Sequence, residues 1–492
     1  MAAQHSMKKL RLVGPLEKHA TARHALGFYN NLGVTGVYSA SADSLTSQSQ
    51  FRRLIYDAVA QVIAMHPSLS AVPLDEDTKS PYFVRLPSID LTRAVTFLTR
   101  KKPWTSESQE HDAELDELLE RQHNLNFKES LGEIPFWRLL IIESKDDHSC
   151  FVAAFIVHHA LGDGASALAF HRSFLSALST VSHTMATSEE SEAVTRIVPP
   201  DVPLLPNLEA LHPLKLTIPF IARALWGQWF PAKSRGLWAG RAVSDDPSVR
   251  TTRMSTLRFS RSITNGLLAA SRAHSTTLTA TIEVAIALAL FAHLDANEYS
   301  TLRGNGTVGL RRLLPPDVID DDSMGTFVSR YVQDHHRPTG LTGKGAKNEN
   351  LIDYFSWDES RSVKATIASE LAKNGTNVEI ALLRWVSDFH QFFNGCIGQA
   401  RETGFEVSNL GIMKLQQKGA DNQSHPSPWT LGRVVFSQSA GVTGAAVQTS
   451  LVTGIDGELN IAVTWLEGIV DGQWIADVLR SLERLLQDLA KS

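Results

Sequence analysis

The chain has 492 residues, 43% of them hydrophobic and 20% charged, a composition that excludes a disordered or collagen-like protein. With 47 Lys and Arg against 52 Asp and Glu, the formal net charge is -5, and no overall basic field is available to bind nucleic acid. Cys150 and Cys396 are the only cysteines, which excludes a disulfide framework and a clustered-thiol metal site and favours a reducing compartment.

No targeting or membrane-spanning segment is predicted. Residues 1–14 carry a short basic cluster without the apolar run of a secretory signal peptide. The two most apolar segments, residues 217–230 and 282–294, fall short of the ~20 residues that a membrane span requires. We therefore expect a cytoplasmic protein, either free or peripheral at a membrane or lipid-droplet surface.

Hydrophobic spacing predicts the main elements of the first half. Residues 50–65 place apolar side chains at helical spacing, which predicts an amphipathic helix. Two dense apolar runs, residues 136–142 and 150–157, predict a buried β-hairpin. Residues 165–178 again follow a helical period, so the segment HHALGDG at 158–164 is expected on a loop between strand and helix.

A polar, proline-rich stretch separates two halves of the chain. Residues 179–213 have little capacity to pack and are predicted to form a crossover linker between subdomains at residues 1–178 and 214–492. The second half contains its own core-forming pattern. Its predicted elements are a strand at 257–260, helices at 262–274 and 279–294, strands at 433–439, 446–455 and 458–465, and a closing helix at 474–489.

Directly after the predicted linker, residues 214–231 form an amphipathic segment. The simplest interpretation is a buried helix. Two alternatives are a cap over a substrate tunnel and a surface that presents Trp226, Trp229 and Phe230 to lipid.

The loop after the predicted hairpin carries the chemistry. His158 and His159 stand where a loop can project an imidazole into a cleft, and histidine titrates near neutral pH, which suits removal of a proton from a hydroxyl. Asp163 places a charge close to the core, where it is tolerated only in a salt bridge or with hydrogen bonds. Gly162 and Gly164 flank it and allow a tight turn.

Two other interpretations of this loop compete with catalysis. A metal site at His159 and Asp163 would use residues four apart on one helix face, but Gly162 disfavours a helix there. A structural core histidine is the usual interpretation of a lone His, whereas a complete motif at a strand–helix junction favours catalysis. We therefore expect no metal. His335 and His336, in a polar stretch, are predicted to be a loop pair.

The segment HHALGDG matches the HHxxxDG motif of the CoA-dependent acyltransferase superfamily, and the chain is identified as resembling its members. These include chloramphenicol acetyltransferase, peptide-synthetase condensation domains, plant BAHD enzymes and fungal alcohol acetyltransferases. The resemblance extends to the strand FWRLLII and to VGLRRLLPP at 308–316. The opening segment at 14–38 and FEVSNLG at 405–411 make the fungal alcohol acetyltransferases the most similar group, and the DFGWG motif of BAHD enzymes is absent.

The resemblance implies an α+β fold of two chloramphenicol-acetyltransferase-like α/β sandwich subdomains, with the active site in a tunnel between them. It implies that His159 is the general base of a direct transfer, that Asp163 orients the loop, that His158 supports it and that Gly164 sets its geometry. Acetyl-CoA or another acyl-CoA is then a co-substrate, and no bound cofactor is expected.

The second half supplies further candidate residues. Ser408 and Asn409 follow an apolar, strand-like segment and are candidate donors to a reaction oxyanion, although Ser-Asn is at least as common in turns. Arg311 and Arg312 are candidates for binding the CoA phosphates or for pairing with Asp163, because guanidinium suits both anions. A solvated surface is the commoner environment of an arginine.

The sequence thus predicts an acyl-CoA:alcohol O-acyltransferase that uses acetyl-CoA, acts as a monomer and binds no nucleic acid. The resemblance to fungal enzymes suggests a small alcohol, or a hydroxyl of a terpenoid or polyketide metabolite, as the acceptor. Two alternatives stay open: an N-acyltransferase acting on an amine, and a catalytically silent binding protein that kept the fold. The intact His159 disfavours the silent protein.

Overall fold

The computed structural model describes residues 7–40, 47–101, 111–144, 147–187, 192–229, 235–343, 350–415 and 427–492. Their helices are, in chain order, α1 (Pro15–Ala25), α2 (Gln48–Met65), α3 (Leu91–Ala94), α4 (Ala113–His123), α5 (Gly164–Thr187), α6 (Leu208–Leu211), α7 (Ile218–Trp229), α8 (Arg261–Ala273), α9 (Leu278–Phe291), α10 (Trp357–Ala372), α11 (Phe389–Asn394) and α12 (Gly472–Leu489). Their strands are β1 (Lys9–Leu12), β2 (Leu32–Ala40), β3 (Ala71–Leu74), β4 (Tyr82–Arg85), β5 (Ile89–Asp90), β6 (Val95–Thr99), β7 (Trp137–Ser144), β8 (Asp147–Val157), β9 (Arg196–Ile197), β10 (Leu237–Trp238), β11 (Thr252–Phe259), β12 (Thr301–Gly309), β13 (Val328–His336), β14 (Phe405–Ile412), β15 (Trp429–Gln438), β16 (Val447–Thr453) and β17 (Leu459–Leu466).

The first subdomain is built on a five-stranded sheet in the order β15-β2-β8-β7-β6. Strands β7 and β8 pair as antiparallel neighbours, so the predicted β-hairpin is confirmed. The predicted amphipathic helix is α2, which packs on α5, and α5 packs on β2, β8 and β15. Strand β8 is buried along residues 151–157, so its carboxyl end lies in the interior of the protein.

The second subdomain is built on a sheet in the order β10-β12-β14-β16-β17-β11, with β13 paired to β12. Helix α9 contacts β12 and the helices α8, α10 and α12. Almost all of its side chains are buried, because alanine, leucine and isoleucine occupy every face and leave no polar side for solvent. Helices and strands mix in both halves, which confirms the α+β fold class.

The linker begins later than the sequence predicts. Helix α5 continues to Thr187, well inside the segment 179–213. The physical reason is that Val181 and Met185 continue the apolar face of the helix and pack against the hydrophobic core of the first subdomain. The other faces of this part of the helix are polar, which is why the sequence predicts a linker there. Residues 192–217 then cross between the subdomains with only the short elements β9 and α6.

One strand of the second half belongs to the first subdomain. Strand β15 pairs antiparallel with β2, from Trp429 opposite Ala40 to Gln438 opposite Leu32. The sequence predicted a strand here but not its partner. Residues 214–492 therefore do not form a separate unit. We call β15 the exchanged strand, because it comes from the second half of the chain and completes the sheet of the first subdomain.

Helix α7 lies on the surface, so the buried-helix interpretation of residues 214–231 is wrong. Ile218, Leu225 and Trp226 share one helical face and expose 82%, 45% and 65% of their surface. The helix is apolar on its outer side as well as its inner side, and hydrophobic spacing alone cannot tell which side is covered. The lipid-facing alternative stays a prediction, and its Phe230 lies outside the described residues.

Within the part of the chain that the structure describes, no single helix combines the length and the apolar composition of a membrane span. Helices α8 and α9 meet those criteria only when joined, and a bend of 100° separates them.

His335 is a core residue of β13, which corrects the predicted loop pair. Its side chain is fully buried, with Nδ1 2.7 Å from Glu359 Oε1 and Nε2 3.4 Å from Glu283 Oε1. The Tyr331 hydroxyl donates to the other oxygen of Glu283. Burial opposes protonation of His335, but the two carboxylates outweigh it and raise its pKa to about 9.

This cluster predicts a loss of stability in mild alkali. A folded-state pKa of about 9 against an ordinary value of 6.5 means that the contribution of His335 is complete below pH 6.5 and disappears as the pH rises through 9. The shift corresponds to roughly 3 kcal/mol. We expect urea unfolding to show His335→Gln much less stable than wild type at pH 6.5, and the difference to shrink at pH 9.5. A difference independent of pH would contradict the assignment.

Candidate active site

The HHALGDG loop lies where the sequence places it, between the end of β8 and the start of α5. Backbone and side-chain hydrogen bonds fix its path. The His158 N–H donates to the Phe136 carbonyl at 2.9 Å, and the Leu161 N–H donates to the His158 carbonyl at 2.9 Å. From the second subdomain, the Thr326 hydroxyl donates to the His159 carbonyl at 2.6 Å. The loop is therefore held from both subdomains.

The surroundings of His159 set its tautomer. Nδ1 lies 3.2 Å from the Gly162 carbonyl oxygen, which can only accept a hydrogen bond, so Nδ1 carries the ring proton. Nε2 is then unprotonated and free to accept a proton. Burial and the positive charge of Arg23 lower the pKa of His159 to about 4, against the opposing effect of Asp163. The imidazole is therefore neutral at pH 7.

Two residues beside His159, Tyr29 and Arg23, were not predicted from the sequence as part of the site. The Tyr29 ring lies 5.7 Å from the His159 ring, and the Arg23 guanidinium stacks on Tyr29 at 4.7 Å. The Tyr29 hydroxyl donates to Gln438 Oε1 of the exchanged strand β15 at 3.0 Å. Burial raises the pKa of Tyr29, so its hydroxyl stays protonated, and burial lowers the pKa of Arg23 against the opposing effects of Tyr29 and Glu406. Arg23 and Tyr29 lie in the opening segment that carried the family resemblance, which was the available signal.

Asp163 points away from the reacting side of the loop and binds the second subdomain. Arg311 donates from both terminal nitrogens to its carboxylate, at 2.7 and 2.8 Å. The Phe327 and Ser166 N–H groups donate at 3.1 and 3.0 Å. Burial opposes ionisation, but Arg311 and these donors hold the pKa of Asp163 below its ordinary value. The carboxylate is a salt-bridged anchor of the loop.

Gly164 allows the loop to contact the second half closely. A Cβ atom built at this position would lie 2.5 Å from Leu410 Cδ2 and 3.1 Å from Phe436 Cζ, closer than packed atoms approach. A larger residue would require the Leu410 side chain to move. Glycine is therefore favoured here by close approach rather than by an unusual backbone angle.

The two oxyanion candidates on β14 point in opposite directions. Asn409 donates from Nδ2 to the Thr279 hydroxyl at 2.9 Å and accepts the Gly411 N–H at 2.7 Å, so its amide is directed toward α9, and its role as an oxyanion donor stays a prediction. Side chains alternate along a strand, and Ser408 lies on the face of Leu410, which contacts the motif loop at Gly164. Ser408 stays a candidate donor.

The two arginine candidates for CoA differ in their contacts. Both terminal nitrogens of Arg311 are bound to Asp163, so the pairing alternative holds and the phosphate-binding one does not. Arg312 lies near the surface, where it donates to the Leu371 carbonyl. Arg312 therefore stays a candidate for binding CoA.

A cavity of about 910 Å³ lies beside α5, lined from both subdomains. Its walls include Ser68 after α2, Arg172 on α5 and Met324, and a much smaller recess that shares Ser68 and Met324 lies against Ala160 and Leu161 of the motif loop. The volume is in the range of sites for drug-sized organic molecules.

A neutral, half-buried histidine on a strand-end loop, held by an aspartate–arginine pair between two α/β subdomains, defines the class of HHxxxDG acyltransferases. Comparison with known proteins agrees. The alcohol acetyltransferase family model matches residues 12–486, so the chain belongs to the alcohol acetyltransferase family.

Curated relatives cover nearly the whole chain. A probable alcohol acetyltransferase, crmB, of Aspergillus fumigatus is 34% identical over 93% of this chain and 95% of its own. A second, FCK4 of Fusarium pseudograminearum, is 25% identical over 98% of this chain and 95% of its own. The chain is therefore an acyl-CoA:alcohol acyltransferase, with an acyl-CoA and an alcohol as its substrates.

Solved structures share the fold at low sequence identity. The trichothecene 15-O-acetyltransferase TRI3 of Fusarium sporotrichioides has a TM-score of 0.67 at 14% identity, over 97% of this chain and 95% of its own. The first condensation domain of the calcium-dependent antibiotic synthetase has a TM-score of 0.62 at 13% identity, over 99% and 98%. The two-subdomain, chloramphenicol-acetyltransferase-like fold is therefore confirmed.

Proposed function

We propose that this enzyme transfers an acetyl group from acetyl-CoA directly to a hydroxyl, with Nε2 of His159 as the general base. The observation that carries the proposal is the tautomer of His159, whose Nδ1 faces the Gly162 carbonyl and leaves Nε2 unprotonated. A pKa of about 4 keeps this nitrogen unprotonated across the neutral range. The relatives named as alcohol acetyltransferases support acetyl as the group transferred.

The reaction proceeds in two steps without a covalent acyl-enzyme. Nε2 accepts the hydroxyl proton while the alcohol oxygen attacks the thioester carbonyl, and an oxyanion forms at that carbonyl. The oxyanion collapses, the carbon–sulfur bond breaks, and the imidazolium returns its proton to the departing CoA thiolate. Ser408 is the side chain of β14 proposed to donate to the oxyanion.

For the acceptor, we propose a small alcohol or a hydroxyl of a terpenoid or polyketide metabolite. The TRI3 relative in fold acts on a trichothecene, which supports the same class.

The test is a product screen with the purified enzyme and acetyl-CoA. Acceptors are 3-methylbutan-1-ol, a sesquiterpenoid alcohol, and hexylamine as the amine control, with release of CoA thiol and the product mass as readouts. We expect an ester with one or more alcohols. An amide alone would favour the N-acyltransferase, whereas acetyl-CoA binding without any product would favour the silent protein and sink the proposal.

The pH profile tests the general base. We expect log kcat/KM to be flat through neutral pH and to fall only as the pH drops through about 4, because protonation of Nε2 removes the base. Arg23→Met removes a cation that lowers this pKa, so the acid limb should move upward, toward 6.5. The matched control is Arg253→Met, because Arg253 forms ion pairs with Glu120 and Glu467 away from the motif loop. This variant should leave the acid limb in place. If Arg23→Met left the acid limb in place, the conclusion that Arg23 lowers the pKa of His159 would be wrong.

A further inference from the structure

A carboxylate lies buried between two histidines directly behind the catalytic loop. Glu76 is on the turn between β3 and β4, and its Oε2 lies 2.6 Å from Nδ1 of His24 on α1. Its other oxygen, Oε1, lies 3.0 Å from Nε2 of His158 in the motif, an ion-pair distance at which the two groups are not aligned as a hydrogen bond. The two histidine rings meet edge to face at 4.4 Å. Nothing in the proposed transfer uses these groups.

Backbone donors fix the tautomer of each ring. The Phe127 N–H donates to Nε2 of His24 at 3.0 Å, and the Ala160 N–H donates to Nδ1 of His158 at 3.0 Å. Each of these nitrogens must be unprotonated to accept. The ring proton of each histidine is therefore on the nitrogen that faces Glu76.

The same donors disfavour a metal ion in this cluster, although the three side chains are close enough to hold one. A metal would replace the ring protons that face Glu76. The opposite nitrogens would then need protons of their own, but each faces a backbone N–H that cannot accept. Only imidazolate ligands would satisfy this geometry.

The electrostatics of Glu76 and His24 agree with this geometry. Burial raises the pKa of Glu76, but His158 and His24 outweigh it and bring the pKa to about 2. Burial and the neighbouring His158 lower the pKa of His24 to about 4. Glu76 is therefore ionised and His24 is neutral at neutral pH, and Nδ1–H of His24 faces the carboxylate.

We propose that Glu76 is a positioning residue for acyl transfer, which acts through His158 on the segment that carries His159. The Ala160 N–H follows His159 directly and is bonded to the His158 ring, so the orientation of that ring is coupled to the loop. The inference rests on the proposed role of His159. His24 supports the carboxylate from the opposite side and joins α1, which also carries Arg23, to the same network.

Glutamine at position 76 cannot reproduce this arrangement. Its oxygen accepts from one ring N–H, but its NH₂ group then faces the other ring N–H, donor against donor. One histidine must change tautomer and lose its backbone donor. Small displacements of a catalytic group cost up to about a hundredfold in rate, so Glu76→Gln should lower kcat by about ten- to a hundredfold and leave KM for acetyl-CoA within about twofold.

A double-mutant cycle distinguishes positioning through His158 from general damage. With acetyl-CoA and 3-methylbutan-1-ol as probes, kcat is measured for wild type, Glu76→Gln, His158→Asn and the double variant. We expect Glu76→Gln to cost little once His158 is replaced. Equal losses in both backgrounds would overturn the proposal. The structural control is Glu17→Gln, because Glu17 lies on the same helix α1 as His24 and forms an ion pair with Arg11 of β1. This variant should lower the melting temperature while kcat changes little.

A readout independent of turnover keeps the proposal falsifiable. In enzyme labelled with ¹⁵N-histidine, we expect slowly exchanging ring N–H signals from His24 Nδ1 and His158 Nε2, assigned by their loss in His24→Asn and His158→Asn. Glu76→Gln should shift or abolish at least one, and Glu17→Gln should leave both. Unchanged signals in Glu76→Gln would overturn the proposal. Lack of turnover by wild type would instead count against the proposed function, and the spectra would still decide the role of Glu76.

Discussion

Replacing His159 with alanine should lower kcat by ~10²–10⁴-fold, the range that general-base catalysis contributes. The substitution removes Nε2, which accepts the proton of the alcohol, together with the contact of Nδ1 with the Gly162 carbonyl and the ring contact with Tyr29. The loop keeps its bonds from Phe136 and Thr326, which involve the backbone. We therefore expect the melting temperature and the affinity for CoA to stay near wild type, as measured by thermal unfolding and calorimetry.

His158→Ala is the comparison that tests the division of roles. His158 is buried and faces Glu76 and Ala160 rather than the reacting side, so its loss should reduce kcat less than the loss of His159. The substitution should also lower the melting temperature, because the Glu76 carboxylate loses its contact with the His158 ring and keeps only the one with His24. Equal loss of activity in the two variants, or a larger loss in His158→Ala, would contradict the assignment of His159 as the base.

The elements of the fold follow closely from hydrophobic spacing. Helix α2, the hairpin β7–β8 and helix α9 were predictable because each repeats apolar residues at its own period or is apolar throughout. The motif fixed the position of His159 on a strand-end loop, because HHALGDG separates a buried apolar run from a helical pattern. Local patterns were sufficient wherever an element's own residues decide its conformation.

Contacts between distant segments were not predictable from such patterns. Strand β15 was expected, but alternation does not specify that it pairs with β2 across the subdomains. Asn409 and Ser408 are neighbours in sequence, and only the direction of the strand sends one to Thr279 and the other toward the loop. Glu76 carried no signal, since an isolated glutamate in a turn is ordinarily exposed.

Asp163→Asn should have the largest effect on stability, because it breaks the salt bridge that joins the motif loop to the second subdomain. The carboxylate is buried and accepts five hydrogen bonds from Arg311, Phe327 and Ser166. The amide oxygen replaces only some of these, and its NH₂ group faces the Arg311 donors. Leaving a buried arginine without its carboxylate costs about 3–5 kcal/mol. Asp334→Asn, which breaks the exposed pair with Arg303, is the matched control and should cost about 0–1 kcal/mol.

The pH dependence of the same variant separates anchoring from proton transfer. The folded-state pKa of Asp163 is below its ordinary value, so its contribution to stability is complete above that ordinary value and is lost as the pH falls through the folded one. Asp163→Asn should therefore remove part of the acid destabilisation seen in wild type. Its turnover should fall because the loop loses its anchor, but the acid limb of kcat/KM, which reports His159, should persist. A melting temperature equal to that of wild type, together with the loss of one limb of the profile, would show instead that Asp163 transfers a proton.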